Sequence, residues 1–191
     1  MKDIIKMVVV LGLICLVAGL ALAGVRQVTL EPIEYQRIKN VMEPSVKAVL
    51  SGYDNDPIKD RFSMPAGKDK KGRDVSKTVF PAKKGGKLMA VALDGSGKGF
   101  NGAIGVMVGI MPDGKMTGIS IMSHSDTPGI GSRVAEPVFT DQFKKKTVDD
   151  PTSVDGVSGA SYSTKGVFAA VQAAAKFYKS NQKELLAKAG Q

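Results

Sequence analysis

From Met7 to Val25 the chain runs for 19 residues without a charged side chain, close to the roughly 20 apolar residues that carry an α-helix across a bilayer. Gly12, Gly19 and Gly24 lie within it, as membrane helices tolerate. The pattern predicts one transmembrane helix over 7–25 behind a short N-terminal segment, 1–6. The periodicity then changes. Tyr35, Ile38, Val41, Met42, Val46 and Val49 recur near helical spacing over Glu34–Leu50, with Pro44 expected to break or kink that helix. Residues 51–86 are rich in Gly, Pro, Lys and Asp and predict an irregular, exposed region with one short strand near Val75–Phe80. Leu88–Leu93, Ala103–Met111 and Met116–Met122 read as strands, the last two joined by the turn sequence Pro112-Asp113-Gly114-Lys115. Val134–Lys146 and Thr164 to about Leu186 read as helices, with 187–191 a frayed tail. This order predicts an α+β domain, a twisted antiparallel sheet with flanking helices. Residues 26–86 form its membrane-proximal part and 87–186 its core.

Charge decides how the apolar run is read. Lys2 and Lys6 precede it against a single Asp3, which favours that end in the cytoplasm and places residues 26–191 outside. A cleaved export signal competes with the anchor, because Ala21-Leu22-Ala23 has the small-x-small form of a cleavage site. Export signals have apolar cores of about 7 to 15 residues, shorter than this one. Cys15, the only cysteine, lies inside the run, so no disulfide can form within the chain.

The net charge of +9 raises the question of a polyanionic partner. Lys68–Lys71, Lys83–Lys87 and Lys144–Lys146 carry much of it, without the interleaved aromatic residues on which bases stack. The clusters read as solvated surface, or as attraction to anionic lipid head groups or an acidic redox partner, and not as a nucleic-acid site.

Candidate chemistry is concentrated in Asp155-Gly156-Val157-Ser158-Gly159-Ala160-Ser161. Small residues lead to Ser161, Ser163 and Thr164, just ahead of the periodic run Val167, Val171, Ala174, Ala175 and Tyr178. A hydroxyl there reads as an N-cap. Unpaired amides, the helix dipole and Lys165 then favour an anion such as a phosphate.

The same seven residues resemble the flavinylation motif, Asp-Gly-x-Ser/Thr-Gly-Ala-Thr, of the FMN-binding subunits of Rnf electron transport complexes and of Na+-translocating NADH:quinone reductase. Upstream, Ser125-Asp126-Thr127-Pro128-Gly129-Ile130-Gly131 resembles that family's Ser-Glu-Thr-Pro-Gly-Leu-Gly loop, with Asp126 for Glu and Ile130 for Leu. Phe139, Gln142 and Phe143 follow its Phe-x-x-Gln-Phe pattern. The resemblance implies that Ser161, in place of the usual Thr, carries FMN through a phosphoester bond made by a separate flavin transferase with FAD as donor, Asp155 and Gly156 belonging to the recognition sequence. It implies that Ser158, Gly159 and Ala160 shape the turn around the phosphate, and that Lys165 and the helix terminus, which also bears Ser163, balance its charge. Asp126, Thr127, Pro128, Gly129 and Gly131 would then belong to the loop along the isoalloxazine ring. Independently of the family, Pro128 and its neighbouring glycines force a rigid turn whose backbone can approach a planar ligand.

The function so implied is that of the G subunit of an Rnf-type complex: an electron carrier, with no catalytic residue of its own, in a cytoplasmic-membrane complex that couples ferredoxin:NAD+ electron transfer to Na+ or H+ movement. Its partners would be the other membrane and redox subunits, the transferase and membrane lipid. Such proteins keep a single N-terminal helix, which favours the anchor over the cleaved signal. The alternatives are a component like the C subunit of the quinone reductase, for which 191 residues is short, or an exported flavin-binding domain of another electron chain. His124, the only histidine, lacks acidic partners at metal-ligand spacing and reads as loop packing or a flavin contact. The nine methionines read as adaptable core filler.

Overall fold

A computed structural model describes residues 2–68, 72 and 74–190. The chain forms two units, Met1–Asn40 and Val41–Gln191.

The first unit is the helix α1, Lys2–Arg37. Within Lys2–Leu30 an 18-residue window has a mean hydropathy of 2.8 and none of it is buried in protein, so the helix is long and apolar enough to cross a membrane. The helix therefore outlasts the uncharged run at both ends. Glu34–Leu50 is not one helix with a break at Pro44. A π-helical turn occupies Ile38–Met42, and a separate helix α2 spans Glu43–Val49 with Pro44 in its first turn. There the missing amide hydrogen leaves no bond unmade, so Pro44 begins a helix instead of ending one.

The second unit is built on five antiparallel strands in sequential order. They are β1 (Phe62–Lys68), β2 (Asp74–Lys84), β3 (Lys87–Lys98), β4 (Ala103–Ile110) and β5 (Met116–Ser123). The last three match the strands expected from sequence. The short strand expected near Val75–Phe80 is the middle of an 11-residue β2, and the region otherwise expected to be irregular also supplies β1, so the sheet begins well before residue 87. Pro81 was the misleading signal. Pairing with β1 ends at Val79, so the missing amide of Pro81 falls on an edge. That edge is closed by Asn55, whose carboxamide donates to Pro81 O and accepts from Lys83 N–H, at 2.9 and 2.7 Å.

Successive strand residues face opposite sides. Val79, Val91, Leu93, Val106 and Val108 belong to one core cluster, while Phe80, Ala82, Ala90, Ala92 and Met107 belong to a second with Val46 and Val49 of α2 and Leu50 just after it. The larger cluster is covered by α4, Ser161–Ala189, which buries Val167, Val171, Ala174 and Tyr178 against it. α4 lies almost on the backbone of β3: a methyl group built on Gly97 would sit 1.9 Å from Gly166 O, and one on Gly95 2.1 Å from Ala170 O. The helix continues to Ala189, which is buried, so the expected frayed tail is helical through 189, although Ala187, Lys188 and Gly190 are exposed.

Between β5 and α4 the expected helix Val134–Lys146 is in pieces. A 3-10 turn at Gly131–Ala135, a single α-turn, α3, at Pro137–Thr140 and another 3-10 turn at Asp141–Phe143 replace it. Pro137 has no amide hydrogen to donate to the preceding turn, and it opens a new turn instead. Phe139 and Phe143 nevertheless face the core, at 2% and 0% exposure, packed edge to face with ring centroids 5.3 Å apart and Phe168 of α4 beside them.

Candidate functional site

Three segments far apart in sequence meet where β3 turns into β4, where β5 ends and where α4 begins. They enclose a cleft of about 260 Å³ lined by Phe100, Asp126, Thr127, Ile130, Gly131 and residues 159–163. Asp126 joins them. Its Oδ2 accepts a 2.6 Å hydrogen bond from the Ser163 hydroxyl and its Oδ1 a 2.8 Å bond from Asn101 N–H. At 4% exposure this carboxylate is nearly sealed from water. Burial pushes its pKa up, but the bonds from Ser163 and from the amides of Asn101 and Phe100, with the charge of His124, outweigh that and hold it below the ordinary carboxylate value. Gly131 and Gly99 make room for it: a methyl on the first would lie 2.5 Å from Asp126 Cβ, and on the second 2.6 Å from Oδ2.

The Thr127–Ser132 turn wraps around one carbonyl. Thr127 O accepts from Gly131 N–H at 2.9 Å, while Gly129, at φ +76°, has its amide bound to the Ser132 hydroxyl at 2.8 Å. Glycine is favoured at Gly129 by that left-handed backbone. Thr127 and Gly131 line the cleft; Pro128 and Gly129 stand exposed on the outside of the turn.

Upstream of α4 the segment 155–160 is held at both ends. Val157 N–H donates to the Thr164 hydroxyl at 3.1 Å, Ala160 N–H to Val157 O at 3.0 Å, and Arg133 reaches Ser158 O at 3.3 Å. Gly159 takes φ +80° just before the helix. The expected hydroxyl N-cap is absent: the cap position is Ala160, without a side-chain bond. Ser163 is occupied by Asp126 and Thr164 by Val157, both hydroxyls pulled inward to fix the loops. The first turn of α4 therefore keeps unpaired amide hydrogens, with Ser161 exposed as its first residue at the cleft.

Residues 99–176 match the family model of the FMN-binding domain. The chain is 30% identical to the G subunit of the proton-translocating ferredoxin:NAD(+) oxidoreductase complex of Clostridium ljungdahlii, covering 86% of this chain and 85% of that one. It is 29% identical to the G subunit of the ion-translocating oxidoreductase complex of Pseudomonas aeruginosa, over 97% and 94%. The chain belongs to the family of G subunits of ion-translocating oxidoreductase complexes. Among solved structures, NqrC of Shewanella oneidensis superposes with a TM-score of 0.54 at 28% identity, over 65% of this chain and 69% of that one. The C subunit of the Na(+)-translocating NADH-quinone reductase of Parabacteroides distasonis, at 19% identity, a TM-score of 0.51 and coverage of 64% and 76%, shares the fold.

In this member of the family, Ser161, Ser163, Gly159, Ala160, Asp126, Thr127 and Gly131 come together at the cleft. Ser158, Lys165, Pro128 and Gly129 do not line it, although Lys165 shares the helical face of Ser161 one turn on. Asp155 and Gly156 lie outside it, Asp155 beside Gln142 and Gly156 beside Thr164. His124 is part-buried with Nδ1 unpartnered among the described residues. The same residues include no group of three His, Cys, Asp or Glu placed to hold a metal ion.

Sequence reasoning missed the aromatic rim. Phe100 and Tyr162 are 64% and 67% exposed, tilted at 55° with centroids 5.9 Å apart, and both line the cleft. Gly99-Phe100-Asn101-Gly102 between two strands held the signal, since a large aromatic flanked by glycines at a turn has no core to enter. The cleft so built suits a flavin mononucleotide: aromatic and aliphatic walls for a flat ring at one side, a free hydroxyl and helix amides for a phosphate at the other.

Proposed function

We propose that this protein carries FMN bound through a phosphoester to the Ser161 hydroxyl, and passes electrons within an ion-translocating ferredoxin:NAD+ oxidoreductase complex of the Rnf type. The observation that carries this reading is the place of Ser161: first residue of α4, exposed at the mouth of the cleft, directly after the motif segment 155–160. When bound, the flavin supplies reversible electron transfer, and the protein supplies position and electrostatics. The amides of the first turn and Lys165 balance the phosphate charge. Thr127 and Gly131, on the turn that carries Pro128 and Gly129, would hold the ring together with Phe100 and Tyr162, which also line the cleft. A flavin transferase would form the bond from Ser161 Oγ to the riboflavin-side phosphorus of FAD, breaking the pyrophosphate bond so that AMP leaves and the hydroxyl proton is lost.

The helix α1 anchors the protein in the membrane beside the other members of the complex and lipid. Lys2 and Lys6 ahead of the span favour a domain on the extracytoplasmic side. In domain terms, 1–6 is the cytoplasmic end, 7–25 the spanning segment and the sheet domain the flavin carrier.

Intact and peptide mass spectrometry of protein from its own cells tests the reading. Wild type is expected to carry a flavin-phosphate adduct on the peptide containing Ser161, absent from Ser161→Ala. An adduct that survives in the variant would move the tether to Ser163 or Thr164. A wild type without one, despite a competent transferase, would refute covalent attachment.

A further inference from the structure

The carboxylate of Asp155 makes no hydrogen bond or ion pair among the described residues, yet its main chain is gripped from outside the loop. Gln142 Oε1 accepts from Asp155 N–H at 2.9 Å, while the same carboxamide's Nε2 points to Asp155 O at 3.5 Å and donates to Val138 O at 3.2 Å. One amide side chain thus meets both the donor and the acceptor of a single residue, as a neighbouring strand would. The grip has a firm base. Gln142 sits between Phe139 and Phe143, whose rings are buried beneath α4. Two core anchors therefore aim a half-buried polar side chain at the loop. Arg133 holds the far end of the same loop through Ser158 O.

We propose that Gln142 is a positioning residue for flavin attachment: it presents the Asp155 carboxylate, which the fold itself does not use, to the flavin transferase. This rests on the covalent reading above. A carboxylate fixed at its backbone and free at its tip is pre-organised for an external partner, so less loop ordering remains to be done at encounter. Once the phosphoester is made, Gln142 has no further contact with the site, because neither it nor Asp155 lines the cleft.

The test uses the full chain purified without flavin and incubated with FAD and the transferase, reading flavin fluorescence of the denatured band over time. Gln142→Ala removes the grip, and Gln142→Met removes its hydrogen bonds while keeping its bulk. Both are expected to slow loading about tenfold, on the scale of one or two lost hydrogen bonds. The visible spectrum of chains loaded to completion should stay that of wild type. Adding Gln142→Ala to Asp155→Asn should slow loading no further than Asp155→Asn alone, because Gln142 acts through Asp155. Loading of Gln142→Met at the wild-type rate, or additive losses in the double variant, would overturn the role of Gln142 and leave the tether intact. A wild type that takes no flavin under the same conditions would sink the covalent reading and this inference with it.

Discussion

Ser163 and Asp126, 37 positions apart, are joined by a buried 2.6 Å hydrogen bond that ties the first turn of α4 to the loop leaving β5. Both cleft walls depend on it, since the same carboxylate also holds the Asn101 amide at the β3–β4 turn. Asp126→Ala leaves those donors unpaired and is expected to cost about 2–3 kcal/mol, read by urea unfolding.

Acid should act on the same group. The folded pKa of Asp126 lies below its ordinary value, so its stabilising contribution is complete above about pH 4 and disappears as pH falls through the folded value. Wild type is expected to lose unfolding free energy below about pH 4 more steeply than Asp126→Asn. Parallel acid profiles for the two would refute this assignment.

Gly97→Ala sets a methyl group against main chain, 1.9 Å from Gly166 O and 2.9 Å from Ala170 N. Backbone on both sides leaves no side chain to swing away, so a loss of about 3 kcal/mol is expected. At roughly 2–4 °C per kcal/mol the melting temperature should fall on the order of 10 °C. Gly159→Ala provides the contrast. Nothing lies within 4 Å of its added methyl, and the cost comes from φ +80° alone, about 1 kcal/mol.

The rim pair Phe100 and Tyr162 should report on the flavin. Tyrosine in contact with an isoalloxazine ring quenches its emission, and the chain has no tryptophan to confuse the signal. Tyr162→Leu is expected to load at Ser161 normally, to fluoresce more strongly and to shift the flavin potential. Unchanged emission and potential would place the ring elsewhere.

The three strands after residue 86 and the long last helix were legible because their periodicities coincide with burial. β1 was not, and of β2 only the stretch Val75–Phe80 was. Their prolines, Pro65 and Pro81, look like strand breakers until Asn55 is seen to satisfy the edge beside Pro81. At the cleft, the local motif made Ser161 and its glycines readable. The inward turn of Ser163 and Thr164 was not, because their partners, Asp126 and Val157, are chosen by tertiary contact. Phe100 escaped notice for the same reason: its companion Tyr162 is 62 positions away.

At Gly95 and Gly97 β3 lies against the backbone of α4, with no side chain between strand and helix at those two positions to act as a cushion. Ser161 is the first residue of a helix seated on the sheet, and a flavin attached there would inherit that stiffness. Electron tunnelling falls off steeply with distance. In a carrier mounted this way, the gap to the next redox centre is set by how the proteins of the complex approach one another, and little by play in the mount itself.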